Sequence, residues 1–249
     1  MNRRKIGVRA RILLLCLAPL SLAPVCAWGQ PVAPDLAAAA RQAVAATNEF
    51  RREHDLGPLA SDAALAASAQ EFAAYLARTG NYGHEADGRT PAERAKAHGY
   101  DYCSIAENIA WLSSRRAFLT AQLAQGFVEG WKHSPEHRKN MLRPEVTESG
   151  VAIARAESGR YYAVQMLGRP ASLSVRFQIE NRAGAAVKYE LDGREFTLPV
   201  RVTRMHKQCS EATLAFRWPQ GGGLSLHARH GDRLSVVRKA SGDLAVTRH

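Results

Sequence analysis

Up to residue 142 the apolar residues recur every three or four positions, and from Leu173 onward they recur every two. The first pattern reads as helices. Over 36–55 an Ala-rich stretch sets Leu36, Ala40, Val44, Thr47 and Phe50 on or near one face, and Gly57-Pro58 ends it. A second helix is expected from Asp62 to Arg78, with Leu65, Ala69, Phe72 and Leu76 at helical spacing and Gly80 closing it. Residues 81–89 are polar and Gly-rich, which puts His84 on a loop. Thr90-Pro91-Ala92-Glu93 is a helix start: Thr90 caps, Pro91 suits the first turn, Glu93 completes a capping box, and Gly99 stops the helix. A longer helix is expected over Arg116–His133 on Leu119, Leu123, Phe127 and Trp131. Ser134-Pro135 then caps a short one that carries His137 in its first turn.

The second pattern reads as strands. Val151–Arg155 and Tyr161–Leu167 alternate like a pair, and a boundary falls near Gly168-Arg169-Pro170. Beyond it Leu173, Val175, Phe177 and Ile179 form one face. Val187, Tyr189 and Leu191 meet Phe196, Leu198 and Val200 across Asp192-Gly193, a two-residue hairpin turn. Leu214, Phe216 and Trp218 read as another strand, and Leu224/Leu226, Leu234/Val236 and Leu244/Val246 follow. So many short strands predict a small β-sandwich-like domain over 171–249, with Gly221-Gly222-Gly223 as a turn.

Composition adds a compartment. Of 249 residues 46% are hydrophobic, enough for a substantial core. Residues 1–29 read as a secretory signal peptide: a basic start, an apolar run from Ile12 to Val25 broken by Pro19 and Pro24, and small residues around Val25-Cys26-Ala27. The run is short for a membrane anchor, and no other stretch is apolar enough to span a bilayer, so the protein is expected outside the cytoplasm, periplasmic or secreted. Val25 is a poor neighbour for lipidation at Cys26. Without Arg3, Arg4, Lys5, Arg9 and Arg11 the net charge falls from +11 to +6. That charge suits weak attraction to anionic surfaces, and without a basic stripe interleaved with aromatics it gives nucleic-acid binding little support. Cys16 and Cys26 fall in the signal segment. Cys103 and Cys209 remain, to form one disulfide joining the two halves or to stay as two thiols.

The densest stretch runs from Tyr82 to Gly150. Asn48 and Arg51-Arg52 precede it, near Leu56-Gly57-Pro58-Leu59. Within it lie Gly83-His84, Asp87-Gly88-Arg89-Thr90-Pro91, Glu107-Asn108-Ile109-Ala110-Trp111, Trp131, Ser134-Pro135-Glu136-His137-Arg138 and Asn140-Met141-Leu142. Gly150-Val151 and Tyr161-Tyr162-Ala163-Val164-Gln165 follow. In order and spacing, 42–168 resembles the CAP superfamily, also called the SCP domain, which includes cysteine-rich secretory proteins, antigen 5 and pathogenesis-related protein 1. The resemblance is greatest to its bacterial extracytoplasmic branch. It implies an α+β fold, a CAP-type α-β-α sandwich over 36–169, followed here by the small all-β domain. It also implies a cleft in which His84, Glu107 and His137 match three members of a His/Glu tetrad. Ser134 stands where the fourth, a Glu, is expected, and Glu136 or Glu148 could approach instead.

Three roles are open to that cleft. Glu107 could order its walls through hydrogen bonds. His84 and His137, with Glu107, could hold zinc, since two neutral imidazoles and a carboxylate suit that ion. Ser134 beside His137, or a metal-activated water, could hydrolyse a substrate, although no H-E-x-x-H or G-x-S-x-G motif is present. The resemblance favours a non-enzymatic binding or scaffold module. Its partner would be a small apolar or lipid-like ligand, a cell-envelope component or a protein, and the peptidase-like hydrolase is the alternative. Trp111, Trp131, Tyr161 and Tyr162 are expected in the core or cleft wall, Asn108 and Asn140 as loop bridges, and Arg89 and Arg138 in surface ion pairs. His206 and Cys209 lack the other ligands of a zinc site.

Overall fold

The computed structural model describes residues 33–219 and 221–249; the signal peptide expected over 1–29, including Cys26, lies outside them. Helix α1 (Leu36–Arg52) is capped by the Asp35 carboxylate, which accepts from Ala38 N–H. It is shorter than the period suggests, and its buried stripe is Ala39, Ala43, Thr47, Phe50 and Arg51. Leu36, Ala40 and Val44 are only partly covered. Strand β1 (Ala60–Ser61) precedes α2 (Ala63–Thr79), whose ends match their signals: Asp62 accepts from Leu65 N–H, and Gly80 takes a left-handed φ of 72°. In α3 (Pro91–Ala97) both halves of the capping box form between Thr90 and Glu93. Helix α4 (Thr120–His133) starts four residues later than expected. Leu119 is 65% exposed, so the packing stripe begins only at Leu123. Helix α5 (Pro135–Met141) follows at once. Ser134 holds its N-cap position, but its side chain makes no capping hydrogen bond, contrary to expectation.

Strands β2 (Tyr102–Leu112), β3 (Glu148–Arg155) and β4 (Tyr161–Pro170) complete this half. The sheet order is β1-β3-β4-β2, with β4 antiparallel to both neighbours and β1 parallel to β3. Strand alternation sends residues to two apolar layers. Val151, Ile153, Tyr161 and Ala163 pack under Phe50, Leu123, Phe127, Trp131 and Met141 of α1, α4 and α5. Ile109, Ala152, Tyr162, Val164 and Met166 pack under Leu65, Phe72, Leu76 and Ala95 of α2 and α3. The result is a helix-sheet-helix sandwich. Gly150 is where α2 crosses β3: a Cβ there would lie 2.2 Å from the Ala66 backbone nitrogen. Strand β2 is not legible in the apolar pattern because Glu107 and Asn108 interrupt it; both are buried.

After a short 3-10 turn (Ala171–Leu173) the chain is all β: β5 (Val175–Arg182), β6 (Val187–Leu191), β7 (Arg194–Leu198), β8 (Thr203–Gln208), β9 (Ala212–Arg217), β10 (Gly223–Ala228), β11 (Arg233–Arg238) and β12 (Leu244–Arg248). They form two four-stranded sheets, β10-β9-β6-β7 and β12-β11-β5-β8. One core, including Phe177, Ile179, Tyr189, Leu191, Leu214, Phe216, Leu234 and Val236, draws on both sheets. Asp192 and Gly193 have φ of 47° and 81°, the conformation a two-residue hairpin turn requires; Tyr189 pairs with Phe196 and Val187 with Leu198, whereas Val200, expected in the second strand, lies beyond its end. Strand β8 has no counterpart in the sequence pattern, since its sequence TRMHKQ is mainly polar. A disulfide between Cys103 at the start of β2 and Cys209 just beyond β8 ties the helical half to the sandwich.

Candidate functional site

Strand β2 is an edge of the central sheet, so its outward backbone groups need partners. Side chains from both helical layers supply them. Tyr82 Oη donates to the Ile109 carbonyl (3.1 Å), Asn140 Nδ2 to the Glu107 carbonyl (3.2 Å) and Arg143 to the Ile105 carbonyl (3.5 Å). The loop before α3 and helix α5 therefore meet over this edge from opposite faces, and that meeting forms the cleft.

Its floor is an ionic cluster. Glu107, 4% exposed, is held at both oxygens: Oε1 lies 2.7 Å from His84 Nδ1 and Oε2 accepts from Arg94 at 2.7 Å. Arg94 is fully buried, stacked 3.6 Å from the centre of the Phe72 ring, and also donates to Asp87 Oδ1 and to the carbonyls of Arg89 and His84. One guanidinium thus bridges two carboxylates and fixes the His84 loop. Burial alone would raise the Asp87 carboxyl, but the Arg89 N–H and the Arg94 and Arg89 guanidinium groups hold it below its ordinary value. Sequence reasoning misses Arg94 because an Arg in a short polar helix reads as surface. On the other face Asn108 donates to Gln165 and to the His137 carbonyl, Asn140 donates to Asn108, and Gln165 donates to Thr47. This buried polar chain pins α5, and with it His137, to β2.

His84 and Glu107 are thus in direct contact. His137 comes close enough to feel the charge of His84. Burial first, then His84, pushes its pKa below the ordinary histidine value. Ser134 bonds to neither. Glu136 is exposed on α5, and Glu148 instead accepts from Tyr100 Oη at 2.6 Å. Trp131, Tyr161 and Tyr162 are buried, but Trp111 is 43% exposed beneath Arg160, a correction to its expected place in the core or cleft wall. Arg89 pairs with Glu71 and Asp87, whereas Arg138 contacts His54 and Phe50, not the expected Glu. Cys103 and Cys209 are joined, so neither is a thiol nucleophile or a zinc ligand, and His206 bonds to Tyr189 Oη.

A metal would find two imidazoles here. With Nδ1 turned to Glu107, His84 presents Nε2, the usual arrangement of a metal-binding histidine with a carboxylate behind it. His137 would be the second donor. Each Glu107 oxygen already has a partner, His84 on one and Arg94 on the other, and among the described residues no three His, Cys, Asp or Glu side chains are grouped to hold an ion.

The other flank of the sheet carries a groove of about 1000 Å³ between α1 and α2. Its walls are Leu36, Ala40 and Val44 on one side and Ala66 and Ala67 on the other, and Val151 and Ile153 lie along its floor. It exists because β1 covers only the first two residues of β3, leaving the rest of that edge without a strand among the described residues.

Residues 44–167 match the family model described as CAP, the cysteine-rich secretory protein family. The chain belongs to the CAP superfamily. It is 28% identical over 130 residues to YkwD of Bacillus subtilis (strain 168), itself described as uncharacterized. That match covers 52% of this chain and 47% of the relative, so this CAP chain spans about half the length of the curated relative it matches. Among solved structures, an outer surface protein from Borrelia burgdorferi matches with a TM-score of 0.48 and 19% identity, over 55% of this chain and 96% of that one. An extracellular SCP-domain protein from Bacillus anthracis str. Ames matches with a TM-score of 0.45 and 24% identity, over 57% and 45%.

The depressed imidazoles make stability depend on pH. His137 and His206 both have folded pKa values below the ordinary one, each mainly through burial. Below about pH 6.5 the unfolded chain therefore binds more protons than the folded one, and stability falls as pH falls. The melting temperature is expected to drop on acidification through that range, with a shallower drop in His137→Gln. An equal slope in that variant would show that His137 does not contribute.

Proposed function

We propose that this CAP protein acts outside the cytoplasm as a non-enzymatic binding module whose ligand is a small apolar molecule held in the groove between α1 and α2. The observation that carries this reading is the groove itself. Its volume of about 1000 Å³ reaches the upper range of small-molecule sites, and its walls are mainly alkyl, with Arg41, Asn48, Ser61, Asp62, Gln70 and Ser149 as the polar lining. The His84–Glu107–His137 cleft then serves as a structural clasp that draws α3, α5 and β2 together. The extracytoplasmic placement rests on the apolar N-terminal run and on membership of a family described as secretory. No described helix is long and apolar enough to cross a membrane.

Ala37 and Ala67 are exposed and line the groove, so the double replacement Ala37→Arg, Ala67→Arg should fill it without disturbing the core. A fluorescent fatty-acid probe is expected to bind the parent and to lose about tenfold or more in affinity in the variant, the worth of roughly two buried methylenes. Equal affinity would remove the groove as the site.

A metal-dependent or Ser/His hydrolase is the second reading, favoured by the pair of imidazoles. Zinc, if bound, would be held by His84 and His137 and would supply Lewis acidity. About one zinc per chain by elemental analysis, lost in both His84→Ala and His137→Ala, would support it; zinc content unchanged in both variants would exclude this pair as the site.

A further inference from the structure

The excess positive charge is not spread over the molecule. Residues 33–170 hold 16 Lys and Arg against 16 Asp and Glu, whereas residues 171–249 hold 13 against 7. Beyond the N-terminal segment, the whole surplus therefore belongs to the β-sandwich. Strand register shows where part of it gathers. Arg176 on β5 lies directly opposite Lys207 on β8, and Gln178, two residues on, lies between Met205 of β8 and Arg233 of β11. Alternation sends all five side chains to the face away from the Phe177–Ile179 core. The three cations thus sit within about 12 Å of one another on one flat face. All three are exposed, and among the described residues none is in an ion pair, although Arg182, Lys188, Arg217 and Arg248 are. Like charges opposed across strands disfavour the sheet, and nothing described within the fold offsets this pair.

The same strip carries an apolar side chain in water: Met205, beside these cations, is 71% exposed. We propose that this face of the sandwich, Arg176, Lys207 and Arg233 around Met205, docks on a bilayer surface of anionic lipid. Headgroup phosphates would neutralise the three cations, and Met205 would enter the interface. A soluble polyanion matches the charges but has no use for Met205. Nucleic acids and glycans would favour aromatic platforms, and the exposed large aromatic residues, Tyr82 and Trp111, are both in the helical half. The proposal stands apart from whatever the α1–α2 groove holds.

The test is sedimentation of the protein as secreted with vesicles of mixed phosphatidylglycerol and phosphatidylcholine, against phosphatidylcholine alone. The parent is compared with Arg176→Ser, Lys207→Ser, Arg233→Ser, so any contribution from the N-terminal segment cancels. Melting curves confirm that the exposed substitutions leave the fold intact. Binding is expected only with the anionic lipid, weaker at high salt, and about 100-fold weaker in the variant, at roughly fivefold per cation. Met205→Ser in the parent should also weaken vesicle binding while leaving dextran sulfate binding unchanged. Equal partitioning of parent and triple variant, equal binding to neutral vesicles, or tighter capture by dextran sulfate than by anionic vesicles would each overturn the proposal.

Discussion

Arg94→Met should cost about 3–5 kcal/mol of unfolding free energy, the range for removing one partner of a buried ionic cluster. The methionine fills the space over Phe72 but leaves Glu107 and Asp87, both nearly inaccessible, without their shared countercharge. It also removes the two hydrogen bonds that hold the backbone at His84 and Arg89, so the loop that presents His84 should loosen with the loss of stability. The matched control is Arg52→Met. Arg52 pairs with Glu49 on the surface, where both side chains are more than half exposed, and its removal should leave stability nearly unchanged. Urea denaturation of both variants makes the comparison; similar small losses in the two would show that Arg94 is not the keystone described.

Cys103→Ser with Cys209→Ser should cost nearly as much. The bond closes a loop across 106 positions of sequence, and removing such a cross-link returns about 4–5 kcal/mol of chain entropy to the unfolded state. The effect should also be visible in how the protein unfolds. The helical sandwich and the β-sandwich have separate cores, and the disulfide is a covalent tie between them. With it intact the two should melt together; without it the helix-poor half should unfold in its own transition. Differential scanning calorimetry with and without reductant reads both outcomes, and identical traces would show that the bond carries no such coupling.

How far the chain can be read in advance varies with the physics of each segment. Helices α2 and α3 are legible to within a residue, because Asp62, Gly80, Thr90 and Glu93 act through neighbours no more than four positions away. The β6–β7 hairpin is legible for the same reason: Asp192-Gly193 sets the turn, and the turn sets the register. The start of α4 and the end of α1 are not, since there only packing decides where the helix becomes worth keeping. Strand β2 escapes because burial of Glu107 and Asn108 breaks the apolar pattern, and β8 because a polar strand on a sheet edge has little pattern to show.

The site divides along the same line. His84, Glu107 and His137 are named by their resemblance to a family pattern, and their direct or electrostatic contacts follow once the chain is folded. What each can do is settled by partners distant in sequence. Arg94 occupies the carboxylate that was a candidate metal ligand, the Thr47–Gln165–Asn108–Asn140 chain holds α5 in place, and Ser134 is left without a bond to either His. The sequence by itself determined the caps, the turns, the helical and alternating halves and the charge of each half, all of which arise from neighbours along the chain. Only the tertiary structure decided the partners of Glu107, the α1–α2 groove and the gathering of Arg176, Lys207 and Arg233 on one face. Burial and cross-strand register depend on which remote segments come to lie side by side.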